Sequence, residues 1–275
     1  VGNEPFEVDL LLEIVGSVRP YGSGRCILAE RGMMRKKRRV LPHVFFIADG
    51  DVTFPNMNTL EYLMFATANL MPSPVERQAL ILQTLLDTEL YYLTLVPIRD
   101  LTRAEKAVIS LLAASFSKAL LVIFSVSQLD FDERLAAGIR GIAGIISGRG
   151  GAMLIGSRDC GMVQTACTHA GLLVNGKMDF CGPIGDLLSG LDKRVFILDC
   201  KNPKKLMDSL KKSDSGLRFR EYGQELHVYD DREPSISQSD FLELIRNTDI
   251  TVESLRTSKK TLENAYREVL SGHDL

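Results

Sequence analysis

The decapeptide RPYGSGRCIL at positions 19–28 holds the most suggestive chemistry in the chain. Its small residues Gly22, Ser23 and Gly24 would leave backbone N–H groups free to approach an anion, and Arg25 sets a cation beside them. A working phosphate loop reads G-x-x-x-x-G-K-[ST], its Lys reaching the phosphates and its hydroxyl ligating magnesium. Here Arg19 stands at the first Gly, Arg25 at the Lys and Cys26 at the Ser/Thr. A soft thiol suits a hard cation poorly, so the pattern implies no magnesium site. Phosphate contact by Arg25 stays open beside the plainer reading of a turn kept for packing.

Other reactive residues offer less. The four histidines (43, 169, 227 and 273) have no metal-ligand spacing, and the five cysteines (26, 160, 167, 181 and 200) form no C-x-x-C pair. No Ser/His/Asp, Cys/His or paired-carboxylate arrangement sits in a supporting motif, so no catalytic residue is assigned. RGMMRKKRRV (31–40) packs six cations into ten residues, either a contact for nucleic acid or anionic lipid or a solvated turn. The net charge of -2 gives no bulk reason to expect nucleic acid, and none is expected as a partner. The unpaired cysteine count suits a reducing compartment, and no N-terminal segment reads as a signal peptide.

The elements that would position these residues follow from periodicity. With 45% hydrophobic and 25% charged residues, 275 positions suffice for one large domain and one small. LLLEIVGSV (10–18) reads as a strand entering the Gly-rich turn, with a short helical piece after it, and LPHVFFIADG (41–50) as a second strand. Residues 59–117 repeat apolar side chains at three- and four-residue steps, a helical insert broken by Pro72 and Pro74. ALLVIFSV (119–126) is apolar throughout, as a strand covered on both faces should be. DERLAAGIRGIAGIIS reads as helix, GAMLIGS (151–157) as strand, CGMVQTACTHA as helix and GLLVNGKM (171–178) as strand. This alternation predicts an α/β domain over 1–190 with a mostly parallel sheet. From about 191 to 275 the order becomes β-α-β-β-α-β with a closing helix, which predicts a small α+β, ferredoxin-like domain beginning near Gly190.

IADGDVTFPNMNTLEYLMFATANL (47–70), LTRAEKAVISLLAASFSKALLVIFSVSQLD (101–130), LIGSRD (154–159) and LLVNGKMDFCG (172–182) occur in an order that resembles the ATP-binding subunits of ABC transporters. They are similar to the segment after the Q-loop, the run from signature through Walker B to D-loop, the switch, and the strand–Gly–strand beyond it. The tail, ending in KTLENAYREVL (260–270), resembles the small C-terminal domain of bacterial export-type subunits. The fold so implied is a P-loop NTPase-like ABC ATPase core with a helical subdomain at about 59–117.

The resemblance also implies roles, and the residues depart from nearly all of them. The lysine and magnesium-ligating hydroxyl of Walker A fall on Arg25 and Cys26, within a degenerate loop Gly22-Ser23-Gly24-Arg25-Cys26. The Walker B aspartate falls on Ile123, the catalytic glutamate on Phe124, the Q-loop glutamine on Asp49 and the switch histidine on Arg158. The signature becomes Leu101-Thr102-Arg103-Ala104-Glu105, without its glycines, while the D-loop at Ser127, Leu129 and Asp130 keeps much of its pattern at an implied dimer interface. Phosphoryl transfer depends on positioning and electrostatic stabilisation, and losing one such group costs about 10²–10³ in rate. Several are missing together, so the expectation is a pseudo-ATPase without a cofactor or metal site, ATP binding remaining open. Implied partners are an active ATPase subunit or a second copy of the chain, and an integral membrane permease, with the chain peripheral on the cytoplasmic side. The rival expectations are an ATP sensor that does not hydrolyse, and a basic-patch binder of nucleic acid or anionic lipid through 31–39.

Overall fold

Pro5 opens the first helix of the computed structural model, which describes all residues except 3, 29–30, 33–39, 49–53, 71–72, 190–193, 215, 231–235, 249, 259–260 and 274–275. Helix α1 (Pro5–Val15) corrects the expectation of a strand at 10–18. Pro is favoured at the first helical position, and Val8, Leu12 and Val15 recur at the four- and three-residue steps of one helical face. Val8 and Leu12 are buried there with Leu121, Ile123 and Leu173, and Val15 packs against them. The Gly-rich turn then leads not into a helix but into β1 (Ile27–Leu28), paired antiparallel with β2 (Arg31–Gly32).

Contacts divide the chain into two units, Val1–Ile184 with Tyr266–Leu275, and Gly185–Ala265. The expected boundary at Gly190 lies outside the described residues, and the tail does not form one continuous unit to residue 275, because its last ten residues group with the first. In the first unit β3 (Val44–Ala48), β4 (Leu121–Ser125) and β5 (Ala152–Gly156) form a parallel sheet in the order β3-β4-β5. Phe46 pairs with Ile123, and Ile123 with Leu154. All five residues of β4 are buried, which explains the unbroken apolar run.

Helices α2 (Thr59–Ala66), α3 (Pro74–Asp87) and α4 (Arg103–Ser115) build the helical part ahead of β4. Asn58 with Glu61 closes a capping box at α2, and Ser73 caps α3. Helix α5 (Glu133–Gly148), capped by Asp132, crosses from β4 to β5. Helix α6 (Cys160–Ala166) follows, then the hairpin of β6 (His169–Val174) and β7 (Lys177–Pro183). The segment expected as one strand at 171–178 is therefore interrupted by a turn. Asn175 and Gly176 take φ of 49° and 73° there, the left-handed pair that a tight Asn-Gly hairpin turn requires. Tyr266 of this unit donates its hydroxyl to the Leu173 carbonyl at 3.2 Å.

Helix α7 (Ile184–Ser189) spans the division. In the second unit β8 (Arg194–Cys200), α8 (Pro203–Ser213), β9 (Leu217–Tyr222), β10 (Glu225–Asp230), α9 (Gln238–Arg246) and β11 (Val252–Ser258) follow in chain order. Their strands pair antiparallel in the order β11-β8-β10-β9, which closes the β-α-β-β-α-β connectivity. Its core stacks Phe196 on Phe241, centroids 3.9 Å apart, with Leu206, Leu210 and Ile245 around them. Helix α10 (Leu262–His273) is the last element.

Candidate functional site

Ligands of open α/β sheets bind outside the carboxyl ends of the strands, and in this chain that edge is built from β4, β5 and α1. Ile123 and Phe124 lie inside β4, both fully buried, with the Phe124 ring 6.2 Å from that of Phe131. They present no polar atom to a ligand and fill the core between helices and sheet. Where the strand ends, chemistry begins: Ser125 and Ser127 each donate a hydroxyl hydrogen bond of 2.7 Å to Asp9 of α1, one to Oδ1 and the other to Oδ2. Arg158 Nε donates to the Ser127 carbonyl at 2.9 Å. Asp159 caps α6 through Met162 N–H and takes the Phe131 N–H at 3.1 Å. Leu129 is buried in this turn and Asp130 is exposed.

Sequence reasoning named Ser127, Leu129, Asp130 and Arg158 but missed Asp9 and Ser125. Asp9 was hidden by the strand reading of its neighbours. The helical spacing of Val8, Leu12 and Val15 was the signal that would have set it in the second turn of a helix facing the sheet.

The loop at 19–28 is corrected in a different way. A phosphate loop needs a strand before it and a helix after it, because the helix N-terminus supplies amides and dipole. Gly22, Ser23, Gly24 and Arg25 are exposed, Gly24 at φ +93°, but the segment leaves a helix and enters a strand. Arg19 closes back on Glu13 at 2.6 Å, Cys26 N–H donates to the Tyr21 hydroxyl at 3.2 Å, and burial pushes the Cys26 thiol upward.

A bridge-then-helix order is found instead at Gly2 and at α1. Gly2 bridges Leu173 in parallel, Leu173 N–H donates to the Val1 carbonyl at 2.8 Å, and α1 opens at Pro5. Laid with its Lys in the first turn of α1, G-x-x-x-x-G-K-[ST] meets Val1 and Phe6 at its glycines, Glu7 at its Lys and Val8 at its hydroxyl. Glu7 is a carboxylate accepting the Gly176 N–H at 3.0 Å, and Val8 is buried in the core. The start of α1 therefore carries none of the residues of a phosphate loop.

At the altered signature, Leu101 is buried and Thr102 caps α4 in a box with Glu105, whose Oε2 accepts the Thr102 N–H at 2.8 Å. Ala104 and Arg103 occupy the first turn, so this stretch acts as a helix start. Beside it the Arg134 guanidinium stacks 3.8 Å from the Tyr92 centroid. Burial, with the carboxylates of Glu105 and Asp132 nearby, raises the Tyr92 phenol. Asp49 and positions 33–39 of the basic run lie outside the described residues. Among the described residues no group of three His, Cys, Asp or Glu is placed to hold a metal, and no helix is long and apolar enough to cross a membrane.

This arrangement of parallel sheet, helical part and flanking hairpin is the fold of the ATP-binding cassettes of ABC transporters. Three solved structures carry that statement. The chain is similar to the structure of an ATP-binding subunit of an ABC transporter at 13% identity and TM-score 0.51, over 69% of this chain and 79% of that one. A nucleotide-free ATP-binding cassette from an ABC transporter matches at 14% and 0.50, over 68% and 82%. The cbiO1 protein of Clostridium perfringens, part of the ABC transporter complex cbiONQ, matches at 13% and 0.53, over 67% and 76%. No family model and no curated protein matches the sequence.

Proposed function

We propose that the chain is a catalytically inactive subunit of the ABC ATP-binding type. In this reading it pairs with a competent ATPase subunit, or with a second copy, and docks on a membrane permease at the cytoplasmic face. The observation that carries it is the pair Ile123 and Phe124, fully buried in the central strand where the resemblance assigns the metal-supporting and water-orienting carboxylates. Glu7 and Val8 at the helix that follows the extended segment point the same way, since a carboxylate repels the phosphate that a Lys would hold.

Docking is supported by the helical part, where Phe65, Leu70, Val75, Leu80 and Leu95 are exposed. Val75 and Leu95, at 79% and 73%, leave large apolar surface in water on an otherwise well-capped set of helices. Exposed apolar side chains that gather into one patch mark interaction sites, and this reading takes these five as such a surface.

The test is to purify the tagged chain from its native membrane, identify what accompanies it, and assay ATP hydrolysis of the chain alone and of the complex. A permease and an intact ATPase subunit are the expected companions, with hydrolysis only in the complex. A chain found alone, or one that hydrolyses ATP by itself, overturns the reading.

A further inference from the structure

We infer that the carboxyl-end crevice of the parallel sheet is closed from within, Asp9 acting as a built-in anion that occupies the place of a ligand phosphate. The inference deepens the proposed function and rests on that reading for its biological consequence, though its geometry stands apart from it. Ser125 ends β4 and Ser127 begins the turn beyond it; the two residues are 5% and 2% exposed. Both hydroxyls point to one carboxylate, one on each oxygen, at 2.7 Å. Hydrogen bonds to an ionised acceptor are about twice as strong as neutral ones, and buried donors cannot exchange them for water.

The backbone around them is spent as well. Ser127 O accepts from Arg158 Nε, Phe131 N–H is taken by Asp159, and Val126 N–H donates to the Gly156 carbonyl at 2.9 Å. Nearer the start of α1, Glu7 holds the Gly176 N–H. An arriving phosphate would thus meet the Asp9 carboxylate, and would have to displace it to gain the serine donors. Like charges so placed exclude one another. The carboxylate does for the two serines what a phosphate oxygen would do.

The test compares the 275-residue chain with Asp9→Ala and Asp9→Ser by thermal unfolding, with inorganic phosphate at 0 and 10 mM and, separately, with Mg-ATP. Stranding two buried hydroxyls should lower the first unit's melting temperature in Asp9→Ala by about 5–15 °C. Phosphate should recover a measurable part of that loss in Asp9→Ala and move the wild type by no more than the scatter of the measurement. Phosphate raising the wild type as much as the variant would overturn the inference, and so would a destabilised variant that phosphate does not rescue. If Asp9→Ala does not fold, Asp9→Ser also vacates the place of the carboxylate, its short hydroxyl sparing part of the loss, and should show the same selective rescue; absence of rescue there refutes the idea equally. Saturable stabilisation of the wild type by Mg-ATP would sink this inference and leave the inactive-subunit reading standing, since that reading turns on hydrolysis; hydrolysis of Mg-ATP by the wild type alone would sink that reading, and failed phosphate rescue sinks this one alone.

Discussion

At Gly156 the sheet lies close against α1, and replacing it with Ala tests the packing that aims Asp9. A Cβ built there would lie 2.3 Å from Leu12 Cδ1 and 2.8 Å from Val8 Cγ1. Leu12 must retreat by about 1 Å to restore ordinary contact. It is 2% exposed and packed against Leu121 and Ile123, so it has no free space to enter. Overpacking of this kind costs about 1–3 kcal/mol, equivalent to a melting temperature lower by roughly 2–12 °C. Leu12→Ala alone should cost about 2–5 kcal/mol through the cavity it leaves. Together the two changes should be milder than their sum by about 1–3 kcal/mol, because the new methyl enters the vacated space. The chain has no Trp, so far-UV circular dichroism in urea follows the transition, with the midpoint shifting and the slope unchanged. Additivity within about 0.5 kcal/mol would show that Leu12 does not oppose the new methyl and would refute the stated contact.

Other outcomes follow from the same packing. Installing Phe124→Glu or Ile123→Asp should not restore hydrolysis and should cost more than about 3 kcal/mol, since either change buries a charge in β4 and removes core volume; urea titration and phosphate release check both. Val75→Asp with Leu95→Ser should leave the melting temperature within about 1–2 °C of wild type while abolishing recovery of the chain with membranes, as flotation would show. Burial pushes the Cys167 thiol to about 11 from 9.0, so the folded state retains its proton over that interval. Its contribution is intact below pH 9 and should fall as pH rises from 9 to 11. Alkylation at pH 8 should therefore modify exposed Cys181 well before Cys167 in timed mass spectra.

Much of the fold was legible because its signals were redundant. The strands at Val44–Ala48, Leu121–Ser125 and Ala152–Gly156 are short apolar runs, the middle one buried throughout and apolar at four of its five positions. Thr102-Arg103-Ala104-Glu105 is a capping-box pattern as well as an altered signature, and structurally it is a helix start. The α-β alternation of the last third predicted the order of strands 8 to 11 without their pairing, which depends on contacts far apart in sequence.

LLLEIVG failed for the opposite reason. A short apolar run suits a buried strand or one helical face equally; Pro5, five residues upstream, and the wider spacing of Val8, Leu12 and Val15 distinguish them. That single misreading drew the phosphate-loop assignment to the glycines at 22 and 24 and hid Asp9. The crevice was thus half legible: its losses at Ile123 and Phe124 could be seen in the residues, whereas the carboxylate that closes it required the helix to be placed.

The first unit is not contiguous, since residues from Tyr266 onward rejoin it after the whole second unit has intervened. During synthesis at ~5–20 residues per second, the intervening stretch Gly185–Ala265 leaves the ribosome over on the order of 4–16 s. Throughout that interval the carbonyl of Leu173 waits for the Tyr266 hydroxyl. The nascent chain therefore passes through a stage in which its larger unit has a sheet and helices but lacks its closing contact. A chaperone, or an early-bound partner, would meet the protein in that window.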